Sequence, residues 1–370
     1  MRAFVRDYTA GVSGADLRRL FDRDAVQAFK VLTRDQQAAG AELPRGRVRR
    51  FFLFVRLAFL GISYKLTPAR RAVFGGAVIC AVLGVLDMQF AWNRSGTQVS
   101  VSSSPGFFLL AFLGMVFLLG MELVDRVLLR DELQVARELQ RDIMPAAAPE
   151  VAGYAFAHSW RTANDVGGDY YNFVPLADGR LALMVGDASG HGMAAGLLMA
   201  SANATLLSAC EIDPDPQRAA ELLHRVLRRS RDRRAFMSLF YALLDPASGR
   251  LDYVCAGHPF PLLRRHGGEI EELGEGGFPL GRGDRVGLRT GTTTLVPGDL
   301  LLLFTDGLPE ALGEGGGDAF GFERVRDALV GGGIAQEIHD RVLARFNAHI
   351  GREALQDDIS VVVLERLPAF

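Results

Sequence analysis

The chain has 370 residues, of which 49% are hydrophobic, and its formal net charge is -2 at pH 7. This length suits roughly two domains of about 150 residues each. The balanced charge gives no broad basic surface, so we expect no nucleic-acid partner. The three cysteines, Cys80, Cys210 and Cys255, form no CxxC pair and indicate neither a disulfide framework nor a zinc site.

Two apolar stretches occur in the first third of the chain, at residues 72–92 and 106–123. Each is close to the roughly 20 residues that cross a bilayer. The alternative is a pair of buried core helices, but the near absence of charge favours a membrane. The exception, Asp87, lies towards the end of the first stretch, where interfacial water reaches it. We therefore predict two transmembrane helices.

The basic residues around these stretches predict their orientation. Arginine and lysine are frequent between residues 45 and 71, Arg126 and Arg130 follow the second stretch, and the connecting loop carries only Arg94. By the positive-inside rule both termini face the cytoplasm. Residues 51–62 are too short to span and suit an interfacial helix. We expect a multi-pass protein of the inner (plasma) membrane, with its C-terminal region cytoplasmic.

A charged helix follows the second apolar stretch. It is rich in helix formers, ends at Pro145 and carries an apolar stripe through four residues, Leu129, Leu133, Ala136 and Ile143. Such a stripe is usually a packing face, but a helix that leaves a membrane in this way also suits a dimeric signalling rod, so we predict a homodimer through it. The expected divisions are a cytoplasmic helical and interfacial segment, the membrane region, the linker helix and a catalytic domain, at residues 1–71, 72–123, 124–145 and 146–370.

From about residue 150 the pattern changes to short β-like runs separated by tight turns. Two helical segments interrupt these runs, at about residues 193–209 and 216–230. Hairpin signals recur, for example Asp-Pro-Ala-Ser-Gly at residues 245–249. Many antiparallel strands with helices inserted as blocks predict an α+β sandwich.

Aspartates lie at the margins of several of these apolar runs, each beside a turn: Asp169, Asp187, Asp306, and Asp357 with Asp358. A single aspartate in such a place is usually a turn former or a cap. Several of them suggest carboxylates that converge at one edge of a sheet. Clustered carboxylates repel one another unless a cation holds them, and hard oxygen ligands suit Mg²⁺ or Mn²⁺ better than zinc.

The order of six blocks carries a family resemblance: "ELQRDIMP", "DVGGDYYN", "GDASGHGMAAGLLMA", "AGHPFP", "LLLFTDGLPEAL" and "QDDISVVVL". Together they resemble the bacterial PP2C-like serine phosphatases of the sporulation-stage-II-E and sigma-factor-regulator type, over roughly residues 132–370. The resemblance implies an αββα sandwich that binds two Mn²⁺ or Mg²⁺ ions. It also implies removal of phosphate from phosphoserine or phosphothreonine in a regulatory protein, an anti-sigma factor antagonist of the STAS type.

The same resemblance assigns roles to individual residues. Asp169 matches the aspartate of the GGD block and Asp187 the metal-bridging aspartate, while the main-chain carbonyl of Ala188 adds a ligand. Asp306 matches the TDG aspartate. Asp357 matches the first aspartate of the last block and is preferred to Asp358. We expect these aspartates to form the catalytic centre, in which two metals activate a shared water for in-line attack on phosphorus without a phosphoenzyme.

Two histidines and two departures from the family pattern leave alternatives open. His191 suits either a general acid or, as we prefer, a residue that organises its loop. His258 matches a family position, but a structural turn explains it equally well. Asn172 stands where the family commonly has aspartate and Asp165 where it often has glutamate, which puts outer contacts of the metal site in question.

Two other functions compete with the phosphatase. One is a catalytically inactive membrane scaffold, against which the presence of all the expected ligands counts. The other is a nucleotide cyclase, suggested by the Gly-Gly-Asp turn followed by aromatic residues. Tyr170 and Tyr171 do not match the continuation expected of a cyclase, and the later aspartate blocks would be unexplained, so we rank it last.

Overall fold

The computed structural model describes residues 59–60, 62–63, 66–93, 96–101, 104–190, 192–229, 235–283 and 287–368. Most of the segment 1–71 and the whole of His191 therefore lie outside the described residues. The chain divides after Leu128 into two compact units.

The first unit contains helix α1 (Pro68–Leu86), a hairpin of strands β1 (Met88–Asn93) and β2 (Gly96–Val101), and the first part of helix α2 (Ser104–Ile143). Proline at the first turn of α1 removes no helical hydrogen bond, because that N–H would be unpaired. The apolar stretch 72–92 is thus helical only as far as Leu86, and its last residues form β1.

Small residues bring α1 and α2 together within the first unit. A Cβ added to Gly114 would lie 3.1 Å from the Cβ of Ala77, and one added to Gly84 would lie 3.1 Å from the ring of Phe108. Close approach at small residues is typical of helices that pack in a bilayer. An ion pair between Arg70 and Asp125 also joins the two helices.

Among the described residues, three helices are long and apolar enough to cross a membrane: Pro68–Leu86, Pro105–Ile143 and Met193–Ile212. The first two expose large apolar side chains, such as Ile79 at 60% and Phe112 at 64%. The third, helix α3, packs into the second unit through buried residues that recur along one face, including Met199 and Leu206. Length and composition therefore make all three helices membrane candidates, and burial separates the third from the first two.

The second unit, Leu129–Phe370, contains two five-stranded antiparallel sheets. The first has the order β10-β7-β6-β5-β4 and the second the order β3-β12-β11-β8-β9. The strands are β3 (Tyr154–Arg161), β4 (Asp169–Pro175), β5 (Leu181–Ala188), β6 (Met237–Leu244), β7 (Arg250–Ala256), β8 (Leu262–Arg264), β9 (Ile270–Glu272), β10 (Thr290–Thr294), β11 (Leu300–Phe304) and β12 (Ile359–Arg366).

Helices cover the outer face of each sheet, which gives four layers. Helices α3 (Met193–Ile212) and α4 (Pro216–Arg228) pack on the first sheet. Helices α6 (Gly321–Val330) and α7 (Ala335–Ile350) cover the second, and the short helix α5 (Gly307–Glu310) follows β11. Because side chains alternate along a strand, Leu301 and Leu303 face the first sheet while Leu300 and Leu302 face α6 and α7. The prediction of an α+β sandwich is confirmed.

The last four turns of α2 belong to the second unit. Leu133, Ala136 and Ile143 of the predicted stripe are half-buried there, and the side chain of Leu129 is outside the described set. Met144, just after the helix, enters the hydrophobic core. Gln140, a polar residue in the same face, is only 2% exposed.

Candidate active site

The backbone brings the predicted aspartates together at the ends of strands in both sheets, on one side of the sandwich. We call this side the acidic edge. Asp169 begins β4 and lies directly opposite Asp187 near the end of β5. In the other sheet Asp306 follows β11 and Asp357 precedes β12, and these two strands are antiparallel neighbours. We call Asp169, Asp187, Asp306 and Asp357 the carboxylate cluster.

The pKa values of three of these carboxyl groups respond to burial and to one another. Burial, followed by the charges of Asp306 and Asp357, raises the pKa of Asp187 to about 8. Burial and then Asp357 raise the pKa of Asp306, and burial and then Asp187 raise that of Asp169 well above its usual range. A divalent cation would offset the free-energy cost of ionising these buried carboxyl groups, because it favours the charged form of every carboxylate near it.

The two neighbouring aspartates before β12 differ in their hydrogen bonds. The carboxylate of Asp358 accepts from the backbone N–H of Ala163 at 2.7 Å and, with its other oxygen, from that of Gly168 at 2.6 Å. Asp357 accepts the N–H of Asp358 with one oxygen, at 2.9 Å. Both carboxylate oxygens of Asp358 therefore accept hydrogen bonds from the loop before β4. Asp357 is the better placed of the two to bind a metal ion.

Gly168 lets the loop before β4 approach the carboxylate cluster closely. A Cβ at this position would lie 2.5 Å from the carbonyl oxygen of Ala188 and 2.8 Å from Oδ1 of Asp187. The N–H of Ala188 donates to the carbonyl of Gly168 at 3.1 Å, which holds the two segments together. The missing side chain thus leaves a small space that is lined by a carbonyl and a carboxylate oxygen.

This donor set fits a divalent cation such as Mg²⁺ or Mn²⁺, which bind carboxylate and carbonyl oxygens together with water. In the part of the chain that the structure describes, no three His, Cys, Asp or Glu side chains are close enough to form a ligand group by themselves. The Ala188 carbonyl and water would therefore have to complete the coordination.

Thr305 was not singled out from the sequence, yet it joins the two sheets at this edge. Its hydroxyl donates to Oδ2 of Asp169 at 2.7 Å and accepts the N–H of Ser360 at 2.9 Å. Thr305 is completely buried and Asp169 is 2% exposed, so this bond fixes the carboxylate. Its position directly before Asp306, in "FTDG", was the available signal.

His258 has a structural setting. Its Nδ1 lies 2.9 Å from the hydroxyl of Ser238, and its carbonyl accepts the thiol of Cys255 at 3.3 Å. Burial lowers the pKa of His258 to about 3, so the imidazole is neutral at physiological pH. These contacts favour the structural alternative for this residue.

The two departures from the family pattern, Asn172 and Asp165, form contacts with α3 and with α2. The side-chain oxygen of Asn172 accepts the N–H of Phe173 at 2.8 Å, and its amide nitrogen donates to Asn203 of α3 at 3.3 Å. Asp165 forms an exposed ion pair with Arg137 of α2. Neither side chain is therefore placed by these contacts to serve the metal site directly.

Comparison with known proteins agrees with this architecture. The family model "Stage II sporulation protein E (SpoIIE)" matches residues 177–367, just over half of the chain. The chain therefore belongs to the SpoIIE family, whose members carry PP2C-type phosphatase domains. The match begins after Asp169, so that residue's assignment depends on the geometry described above.

Individual relatives are more distant. Protein IcfG of Synechocystis is 24% identical over 329 residues, and phosphoserine phosphatase RsbU of Bacillus subtilis is 25% identical over 189 residues. These alignments cover 81% and 51% of this chain but 50% and 56% of the relatives, so the chain spans about half of their length. In fold, the SiaA PP2C domain of Pseudomonas aeruginosa is similar, with a TM-score of 0.57 and 24% identity over 65% of this chain and 98% of that one.

Proposed function

We propose that this protein is a metal-dependent serine/threonine protein phosphatase. The observation that carries the proposal is the carboxylate cluster at the shared edge of the two sheets, in a chain of the SpoIIE family. RsbU, a relative, is named a phosphoserine phosphatase, which supports this reaction for the present chain. The inactive scaffold and the nucleotide cyclase have no observation of their own in their favour.

Each residue of the site has a distinct task in this proposal. Asp169, Asp187, Asp306, Asp357 and the carbonyl of Ala188 would hold two Mn²⁺ or Mg²⁺ ions. When bound, such a pair of ions supplies an activated water and neutralises the phosphoryl oxygens. Thr305 keeps Asp169 oriented, and Asp358 keeps Gly168 against the cluster.

The substrate would be a phosphorylated regulatory protein, and we retain a STAS-type anti-sigma factor antagonist as the candidate. The alignments cover only about half of the relatives' length. This candidate is therefore supported by the family resemblance of the motif blocks.

We further propose that the protein is anchored in the inner membrane by α1 and the first part of α2, with the phosphatase domain in the cytoplasm. The apolar length and exposed side chains of these helices support this location. We retain the division at residues 1–71, 72–123, 124–145 and 146–370, together with a homodimer through the linker helix. The division after Leu128 differs from the proposed domain start because the end of α2 packs with the phosphatase core.

The test is phosphate release from a phosphoserine protein, and from para-nitrophenyl phosphate, by the full chain in detergent. We expect turnover that needs Mn²⁺ or Mg²⁺, stops with a chelator, and falls by at least about 100-fold in Asp187→Asn and Asp306→Asn. That loss is expected because each variant removes a charged metal ligand.

The matched control is Asp178→Asn, because Asp178 forms a surface ion pair with Arg180 in the β4–β5 turn. It should retain wild-type turnover. Metal-independent turnover, or full activity in a folded Asp187→Asn variant, would contradict the proposal.

A further inference from the structure

A buried glutamine of α2 holds the loop that precedes Asp169. The side-chain oxygen of Gln140 accepts the N–H of Gly167 at 3.0 Å, and its amide nitrogen donates to the carbonyl of the same residue at 3.2 Å. The nitrogen also lies 3.7 Å from the sulfur of Met199 in α3. A single side chain thus satisfies both backbone groups of Gly167, as a neighbouring strand would do.

Gly167 is held from its other side as well. A Cβ at this position would collide with the carboxylate of Asp358, which also accepts the N–H of Gly168. The loop is therefore clamped between Gln140 and Asp358. Asp358 belongs to the same edge as the carboxylate cluster, whereas Gln140 comes from a different element.

Gly167 lies next to the proposed metal ligands in sequence and in space. The carbonyl of Gly168 accepts the N–H of Ala188, a Cβ on Gly168 would lie 2.8 Å from Oδ1 of Asp187, and Asp169 follows directly. A shift of Gly167 would therefore move Gly168 away from Ala188 and turn the carboxylate of Asp169. Gln140 is buried, so breaking this contact would leave its amide without a hydrogen-bond partner, which is unfavourable.

We infer that Gln140 is a positioning residue of the metal site: it sets the affinity for the divalent cation by fixing Gly167, without touching the cation or the substrate. The inference rests on the proposed function, and it adds a contribution from α2, an element outside the sandwich strands. Partners of this kind, one step removed from the ligands, typically change metal affinity by about 10–100-fold when they are lost.

The test compares Gln140→Met with Gln134→Met in the full chain in detergent. Methionine keeps the length and helix preference of glutamine but removes both hydrogen bonds to Gly167. Gln134 is the matched control, because it lies on the exposed side of the same helix and its amide nitrogen donates to Glu138 at 3.0 Å. The probe is Mn²⁺ alone, whose free concentration is followed by electron paramagnetic resonance, and para-nitrophenyl phosphate turnover is measured separately.

We expect Gln140→Met to raise the Kd for Mn²⁺ by about 10–100-fold, while Gln134→Met stays within about twofold of wild type. At saturating Mn²⁺ the kcat of Gln140→Met should return to within about threefold of wild type, because the ligands themselves are intact. If Gln140→Met does not fold, Gln140→Asn replaces it: asparagine keeps the amide but is one methylene too short to bond both groups, so the same weakening is expected.

Two results would overturn the inference. One is an unchanged Kd for Mn²⁺ in a folded Gln140 variant. The other is a kcat that stays far below that of wild type at saturating Mn²⁺, which is the result of a merely structural role. Wild-type protein that neither binds Mn²⁺ nor releases phosphate would instead contradict the proposed function, so the two failures are distinguishable.

Discussion

At the scale of single residues, His258 makes the stability of the fold depend on pH. Its folded pKa is about 3, and the ordinary value of an unfolded histidine is about 6.5. Between these values the unfolded chain takes up a proton that the folded protein does not, so stability falls as pH drops below about 6.5. The slope for one such group is about 1.4 kcal/mol per pH unit.

We therefore predict that His258→Gln reduces the pH dependence of stability. Between pH 7.5 and 5.5 the variant should lose about 1 kcal/mol less of its free energy of unfolding than wild type, because glutamine does not titrate. Denaturant unfolding of metal-free protein at both pH values measures this. His266→Gln is the control, since His266 is exposed. Equal losses in His258→Gln and wild type would contradict the burial argument.

The sequence predicted the aspartates of the acidic edge, but it did not predict the residues that hold these aspartates in position. Asp187 and Asp306 stood out because several aspartates recur in the same setting, at the margin of an apolar run and beside a turn. Thr305 and Gln140 did not, because a threonine just after a strand and a glutamine in a charged helix are ordinary on their own. Their importance depends on partners more than 50 and 25 residues away, such as Ser360 and Gly167. Only the fold brings these pairs together.

At the scale of elements, α2 has two faces with different surroundings. The face with Ala136 and Gln140 packs into the second unit. On another side Val135 and Leu139, one helical turn apart, are 57% and 59% exposed. The periodicity of the sequence predicted the packing stripe, but it did not separate a second apolar stripe within the same helix.

We predict that Val135 and Leu139 form the contact of the proposed homodimer. The double variant Val135→Glu with Leu139→Glu should weaken dimerisation at least about tenfold, because it removes two apolar side chains worth about 1.5–3 kcal/mol each when buried. Light scattering of the full chain in detergent gives the mass. Gln134→Lys with Glu138→Lys is the control, as both residues are exposed on the same turns. A wild-type monomer at micromolar concentration, or an unchanged dimer in the double variant, would contradict the prediction.

In the first apolar stretch the hydropathy of the sequence and the observed secondary structure differ. Residues 72–92 have one continuous composition, yet the helix ends at Leu86 and Met88–Asn93 pairs with Gly96–Val101. Aromatic residues and asparagine near a Gly-containing turn also suit a hairpin. Hydropathy counts apolar residues without regard to backbone conformation, so it placed the end of the helix several residues too late.

At the scale of the whole molecule, three apolar helices in the described part of the chain have to be assigned to lipid or to protein. Helix α3 resembles the others in length and composition, but its small residues let it pack closely, and Ala195, Ala202 and Ala209 are buried in the second unit. Helices α1 and α2 instead expose large aliphatic side chains along their length. Exposed apolar surface of this extent is costly in water, which supports the proposal that α1 and the first part of α2 lie in the bilayer.

This assignment predicts that the β1–β2 hairpin and the phosphatase domain lie on opposite sides of the membrane. In a variant with its three cysteines replaced by alanine, we would introduce Ser100→Cys in β2 or Asp178→Cys in the β4–β5 turn. A membrane-impermeant maleimide added to spheroplasts should label position 100, and position 178 only after permeabilisation. We expect this result because one proposed crossing, the first part of α2, separates the hairpin from the phosphatase domain, and basic residues flank the proposed crossings on the side of that domain.

A detergent-permeabilised sample is the control, because both positions should then be labelled equally. Labelling of position 178 in intact spheroplasts would invert the orientation and place the acidic site outside the cell, away from phosphorylated cytoplasmic proteins. Recovery of the chain in the soluble fraction would instead remove the membrane from the proposal while leaving the phosphatase assignment intact, because the carboxylate cluster lies entirely in residues 169–357 of the second unit.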